Sequence, residues 1–149
     1  MFCLGHERYG VEPRFARAVL RLRTITALPH APPFVLGLIH ARGEIVTLVD
    51  LGAFLRLRDR GLSDRNRAVL LTAAAGTLAL AADEIVGAMP VRTADLKPPP
   101  ATLAGLRADY LKGVTPDSLA VLDAGRLIED CCRTIRGDVR KTSATVSIA

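Results

Sequence analysis

Tryptophan is absent from this sequence and aromatic residues make up only 4% of its 149 positions, which leaves few flat platforms for stacking single-stranded nucleic acid. Cysteine is almost as scarce. Three occur, and Cys131 and Cys132 are adjacent, so the chain holds no disulfide framework, no Cys-x-x-Cys and no His/Cys grouping at metal-ligand spacing. Neighbouring cysteines close on each other only with strain, and an incidental pair is preferred to a redox pair. Long apolar runs are missing too: the longest weakly polar stretch, Ala68 to Ala82, carries Thr72, Gly76 and Thr77 and is shorter than the roughly twenty residues a bilayer span needs. No basic region followed by an apolar run opens the chain, so no secretory signal is expected and the cytoplasm, with reduced thiols, is the expected compartment. Phosphate-binding patterns of the Gly-x-Gly-x-x-Gly or Walker type are lacking. None of the three histidines, His6, His30 and His40, has a Ser, Cys or carboxylate at dyad spacing, and each reads as a surface or turn residue.

What is present is apolar and only mildly charged. Half of the residues are hydrophobic and the formal charge is +5, the balance of a folded domain and not of a polybasic chain. Of 20 basic residues all but Lys97, Lys112 and Lys141 are arginine. Guanidinium forks suit phosphates, but the arginines are scattered and aspartates dilute the densest run, Arg58 to Arg67; GC-rich coding explains the bias better.

Short aliphatic and β-branched runs alternate with Gly, Pro and Asp, the rhythm of a barrel or sandwich. Phe2–Leu4 and Tyr9–Val11 read as a hairpin turning at Gly5, and Ala18–Leu28 as a strand ended by Pro29. Val35–Ile39 and Ile45–Leu51 form the clearest hairpin, and Gly52–Leu57 a single helical turn. Beyond the polar connector 58–67 come strands 68–72, 77–82, 85–90, 111–114 and 119–122, with a closing helix from about Ala124. Neither half of the chain would bury much by itself, so a shared core is expected. Arg42 stands beside Gly43 between two apolar strands and reads equally well as a solvated turn arginine or as an outward contact.

The stretch Leu28-Pro29-His30-Ala31-Pro32-Pro33-Phe34-Val35-Leu36-Gly37-Leu38-Ile39-His40-Ala41-Arg42-Gly43-Glu44-Ile45-Val46-Thr47-Leu48-Val49-Asp50-Leu51 resembles the signature of CheW, the chemotaxis coupling protein family. The resemblance continues through Tyr9-Gly10-Val11, Asp83-Glu84-Ile85-Val86, Leu96-Lys97-Pro98-Pro99-Pro100, Tyr110-Leu111-Lys112-Gly113-Val114, Leu119-Ala120-Val121-Leu122-Asp123 and Arg126-Leu127-Ile128. It covers nearly the whole chain in order. It implies an all-β fold of two SH3-like five-stranded barrels side by side with a short C-terminal helix. The expected layout is a domain over 1–132, with barrels over roughly 12–58 and 66–123, the first strand and closing helix packing across, and a polar, mobile tail over 133–149.

The implied function is that of a non-catalytic adaptor without cofactor or metal. Its partners would be the regulatory domain of a CheA-type histidine kinase and the cytoplasmic tip of a methyl-accepting chemoreceptor, with recruitment to receptor arrays, weak self-association, no nucleic acid and no membrane insertion. The implied receptor groove comprises Arg42, Val11, Phe15, Ala16, Val19, Val86, Ala88 and Met89, with Gly37, Gly43 and Asp50 in turn or structural roles. The sequence departs from the family pattern at His40-Ala41 before Arg42, at Gly52, at Ala18, and at Ala79 and Ala81. Those departures keep a ring-filling or pilus-linked scaffold as the near alternative; a basic nucleic-acid-binding barrel and a redox protein using Cys131 and Cys132 are the remote ones.

Overall fold

In the computed structural model, which describes residues 1–4, 7–56, 66–99 and 106–148, ten strands form two five-stranded sheets. The central sheet is built from β3 (Ala16–Arg21), β4 (Val35–Ala41), β5 (Glu44–Val49), β6 (Arg67–Ala73) and β7 (Gly76–Ala82), in the order β3-β6-β7-β5-β4. The terminal sheet takes β1 (Phe2–Leu4), β2 (Glu7–Gly10), β8 (Glu84–Ile85), β9 (Leu111–Val114) and β10 (Leu119–Leu122), in the order β8-β1-β2-β10-β9. Both are mainly antiparallel. The parallel pairs are β2 with β10 and β5 with β7.

Each sheet curls so that its far edges meet. Past β3 the chain crosses to β4, where Thr26 and Leu38 exchange two backbone hydrogen bonds of 2.9 and 2.7 Å. Past β8 it crosses to β9, where Lys97 and Val114 do the same at 3.0 and 2.9 Å. This closure satisfies edge groups that would otherwise invite pairing with another chain. It also shortens two expected strands: β3 stops at Arg21, and β8 stops at Ile85, just before Gly87 turns at φ +110°.

The strands do not divide between halves of the chain as 12–58 and 66–123 would require. Instead β6 and β7 belong with β3–β5, and the terminal sheet joins the two ends of the chain. The reason lies in the apolar residues of β6 and β7. Val69, Leu71, Leu78, Leu80 and Ala82 face a core shared with the terminal sheet, while Ala68, Leu70, Ala79 and Ala81 face the interior of the central sheet with Val46 and Leu48. Strands buried on both faces read as continuous apolar runs. The alanines fit the cramped inner face, and most of the leucines fill the wider shared core.

Two short helices, α1 (Leu51–Phe54) and α2 (Leu106–Asp109), and the long α3 (Ala124–Ile148) complete the fold. Asp50 caps α1, its Oδ1 accepting from the Ala53 amide at 3.2 Å. Along α3, Ala124, Leu127, Ile128 and Cys131 are buried in the shared core, where α3 packs on β6 and β7. Residues 133–148, expected as a tail, continue this helix. The turn at Gly5-His6 and most of the connector 58–67 lie outside the described residues.

Candidate functional site

The β4–β5 hairpin turns through two residues, Arg42 at φ +50° and Gly43 at φ +80°. Positive φ at both positions is the requirement of a type I′ turn, whose twist matches that of the flanking strands. Glycine adopts it freely; Arg42 adopts it under mild strain. Its side chain is exposed and forms no ion pair among the described residues. Ile45, one residue beyond Glu44, is 66% exposed. The tip is tied sideways to β3, because Arg17 Nη1 lies 3.7 Å from Glu44 Oε2.

On β3 a bulge between Ala16 and Ala18 decides which residues face outward. In a regular strand Ala16 and Val19 would point to opposite faces. With Arg17 as the extra residue, Ala16 sits opposite Leu71 and Val19 opposite Val69, both partners belonging to the shared core. Ala16 and Val19 thus lie on one face, both exposed, while Ala18, Leu20 and Leu22 pack on the inner core. The bulge leaves no simple signal in the sequence.

The second group follows β8. Ile85 pairs with Phe2 and joins the shared core, and the Val86 amide donates to the Met1 carbonyl at 2.9 Å. From there Val86, Ala88 and Met89 run exposed, followed by Val91. Val19 thus stands opposite Val69 on the central sheet, and Val86 follows Ile85 on the terminal sheet, where Val69 and Ile85 both belong to the shared core. Val11 and Phe15 are half-buried against the same cluster. Phe15 is close enough to α3 that a methyl on Gly125 would lie 3.4 Å from its ring, and its carbonyl accepts from the Thr72 amide at 2.9 Å. Both lie further in than the exposed residues of β3 and of the segment after β8.

Gly37 has φ +148°, and a Cβ there would stand 2.4 Å from the Thr26 carbonyl oxygen. Only glycine permits the approach that closes the central sheet. At Gly43, by contrast, a Cβ meets nothing within 4 Å.

The ionisable groups are arranged for structure. Glu12 accepts from Lys112 and from Arg14 Nε, the latter at 2.9 Å, and the Lys112 bond holds its carboxyl below the ordinary value. Burial pushes Cys131 up to about 12 and raises Cys132 as well, the reverse of the lowered value that a reactive thiol needs. Burial, with a 2.6 Å hydrogen bond to Asp130 Oδ2, pushes Tyr110 up to about 12. Among the described residues no group of three or more His, Cys, Asp or Glu could hold a metal ion, and no helix is long and apolar enough to cross a membrane. What the described surface offers is exposed apolar residues on β3 and beyond β8, and a strained, outward arginine at the β4–β5 tip. Such a surface can bind.

Comparison with known proteins gives a consistent picture. A family model described as "CheW-like domain" matches residues 1–132. The chain is 28% identical over 133 residues to "Chemotaxis protein CheW" of Treponema pallidum, covering 85% of this chain and 78% of that protein. It is 32% identical over 118 residues to "Protein FrzA" of Myxococcus xanthus, covering 78% and 72%. Among solved structures, the scaffolding protein TtCheW from Thermoanaerobacter tengcongensis superposes with a TM-score of 0.72 at 25% identity, covering 85% of this chain and 83% of that one.

Proposed function

Because the chain belongs to the CheW-like domain family, and is therefore a non-catalytic chemotaxis scaffold with the two-unit SH3-like fold of that family, we propose that it couples chemoreceptors to a CheA-type histidine kinase. The observation that carries this reading is exposed apolar surface on both sheets, which in this reading forms the two walls of a seam. Ala16 and Val19 on β3, and Val86, Ala88 and Met89 beyond β8, leave apolar side chains exposed on strands and a segment that border the shared core, and exposed apolar surface of this kind marks a protein contact. The chemoreceptor tip occupies the seam. The kinase regulatory domain meets the end of a barrel, and Arg42 sets register through charge-assisted hydrogen bonds. In this reading the protein is cytoplasmic and needs no cofactor.

Titration of the purified protein against the regulatory domain of the CheA-type kinase from the same organism tests the proposal. Saturable one-to-one binding is expected; no binding would overturn the coupling role. Arg42→Glu is expected to keep the fold and weaken receptor-dependent control of the kinase in a reconstituted assay. Unchanged control in that variant would remove Arg42 from the contact. Kinase binding with no receptor binding would point to the ring-filling scaffold.

A further inference from the structure

Arg21 and Arg67 stand directly opposite each other on β3 and β6. Opposed residues of an antiparallel pair point to one face with Cβ atoms about 5 Å apart, and like charges there are unfavourable. Both side chains are exposed, and among the described residues neither has an ion-pair partner. Their face is the one that carries the seam. Arg21 follows Val19 by two residues, and Arg67 precedes Val69 by two, so the guanidinium pair closes one end of the apolar row. Arg23, also exposed, extends the charge. The pairing is unfavourable to the isolated fold, and an arriving carboxylate would relieve it.

We propose that Arg21 and Arg67 form a carboxylate clamp at the end of the seam, which selects a protein segment presenting Asp or Glu beside the apolar side chains that cover Val19. Guanidinium forks bind carboxylates bidentately, and two side by side can hold one carboxylate from both edges. The exposed Val19, 57% open, makes the neighbouring surface apolar, which fits a protein segment and not a phosphate backbone. The clamp rests on the seam being the receptor site, and the test separates the two.

A soluble chemoreceptor tip fragment from the same organism is titrated against the full chain, Val19→Asp, and the double variant Arg21→Glu/Arg67→Glu, over a range of salt. The clamp predicts at least tenfold weaker binding by the double variant, a flatter salt dependence, and recovery when an acidic residue of the fragment is changed to Lys. The double variant replaces one like-charge pair by another and should unfold in urea at the parent's midpoint. Single Arg67→Glu, which creates an opposite-charge pair with Arg21, should unfold no earlier than the parent and still bind more weakly, so weakened binding is not a folding defect. If Val19→Asp abolishes binding while the double variant binds normally, the clamp is wrong and the seam stands. If neither change matters, both fall. In a parallel titration with duplex DNA the parent chain should not bind; salt-sensitive DNA binding that the double variant loses while it keeps its affinity for the receptor fragment would overturn the clamp in favour of nucleic acid.

Discussion

Single residues in this molecule do work that their type alone does not announce. Gly37 and Gly43 both have positive φ, yet only Gly37 faces a backbone oxygen at 2.4 Å. Gly37→Ala should therefore cost about 3 kcal/mol, through collision as well as strain, and Gly43→Ala only about 1 kcal/mol; urea unfolding of the two variants checks the difference. At Glu12 the sign of a pH effect can be worked out. Lys112 holds the folded carboxyl below its unfolded value, so the stabilisation is present above the ordinary carboxylate pKa and is lost as pH falls through the folded one. Lys112→Met should cost less than about 1 kcal/mol at neutral pH, since the pair is part-exposed. It should also flatten the acid limb of the stability curve below the ordinary carboxylate pKa, which urea titrations at neutral and at acid pH would show.

At the scale of elements, the same local reading succeeded at some strands and failed at others. Strands β9 and β10 coincide with the expected 111–114 and 119–122 because each is a short apolar run held between turn residues. The face presented by β3 was not legible, since it depends on a bulge that answers to β6 and not to its own sequence. Helix α1 is short enough that its cap matters: Asp50→Ala should lower stability by about 1–2 kcal/mol. Leu127 on α3 is wholly buried where the helix meets the shared core. Leu127→Ala should cost about 2–5 kcal/mol, read as an earlier midpoint in denaturant.

For the whole molecule, the shared core joins residues from both sheets and α3, from Phe2 to Cys131. Unfolding should then be one cooperative transition followed alike by circular dichroism and by tyrosine fluorescence. A fragment spanning 12–58 should remain unfolded, because its strands lack β6 and β7; a cooperative transition in that fragment would show that its sheet is independent. Docking a partner in the seam asks nothing of this core beyond rigidity, which suits a scaffold.

The sequence by itself determined that the chain is a two-unit β protein of the CheW-like kind, where most strands lie, and that Arg42 stands at a hairpin tip, because these follow from local runs, turn residues and an ordered set of motifs. Only the tertiary structure decided which strands share a sheet. That choice rests on parallel pairing between β2 and β10 and between β5 and β7, contacts between segments distant in the chain that no local pattern encodes. It also decided that Ala16 and Val19 share a face and that Arg21 stands opposite Arg67. Each of these depends on register, and register is set when two faces of a strand find their separate cores.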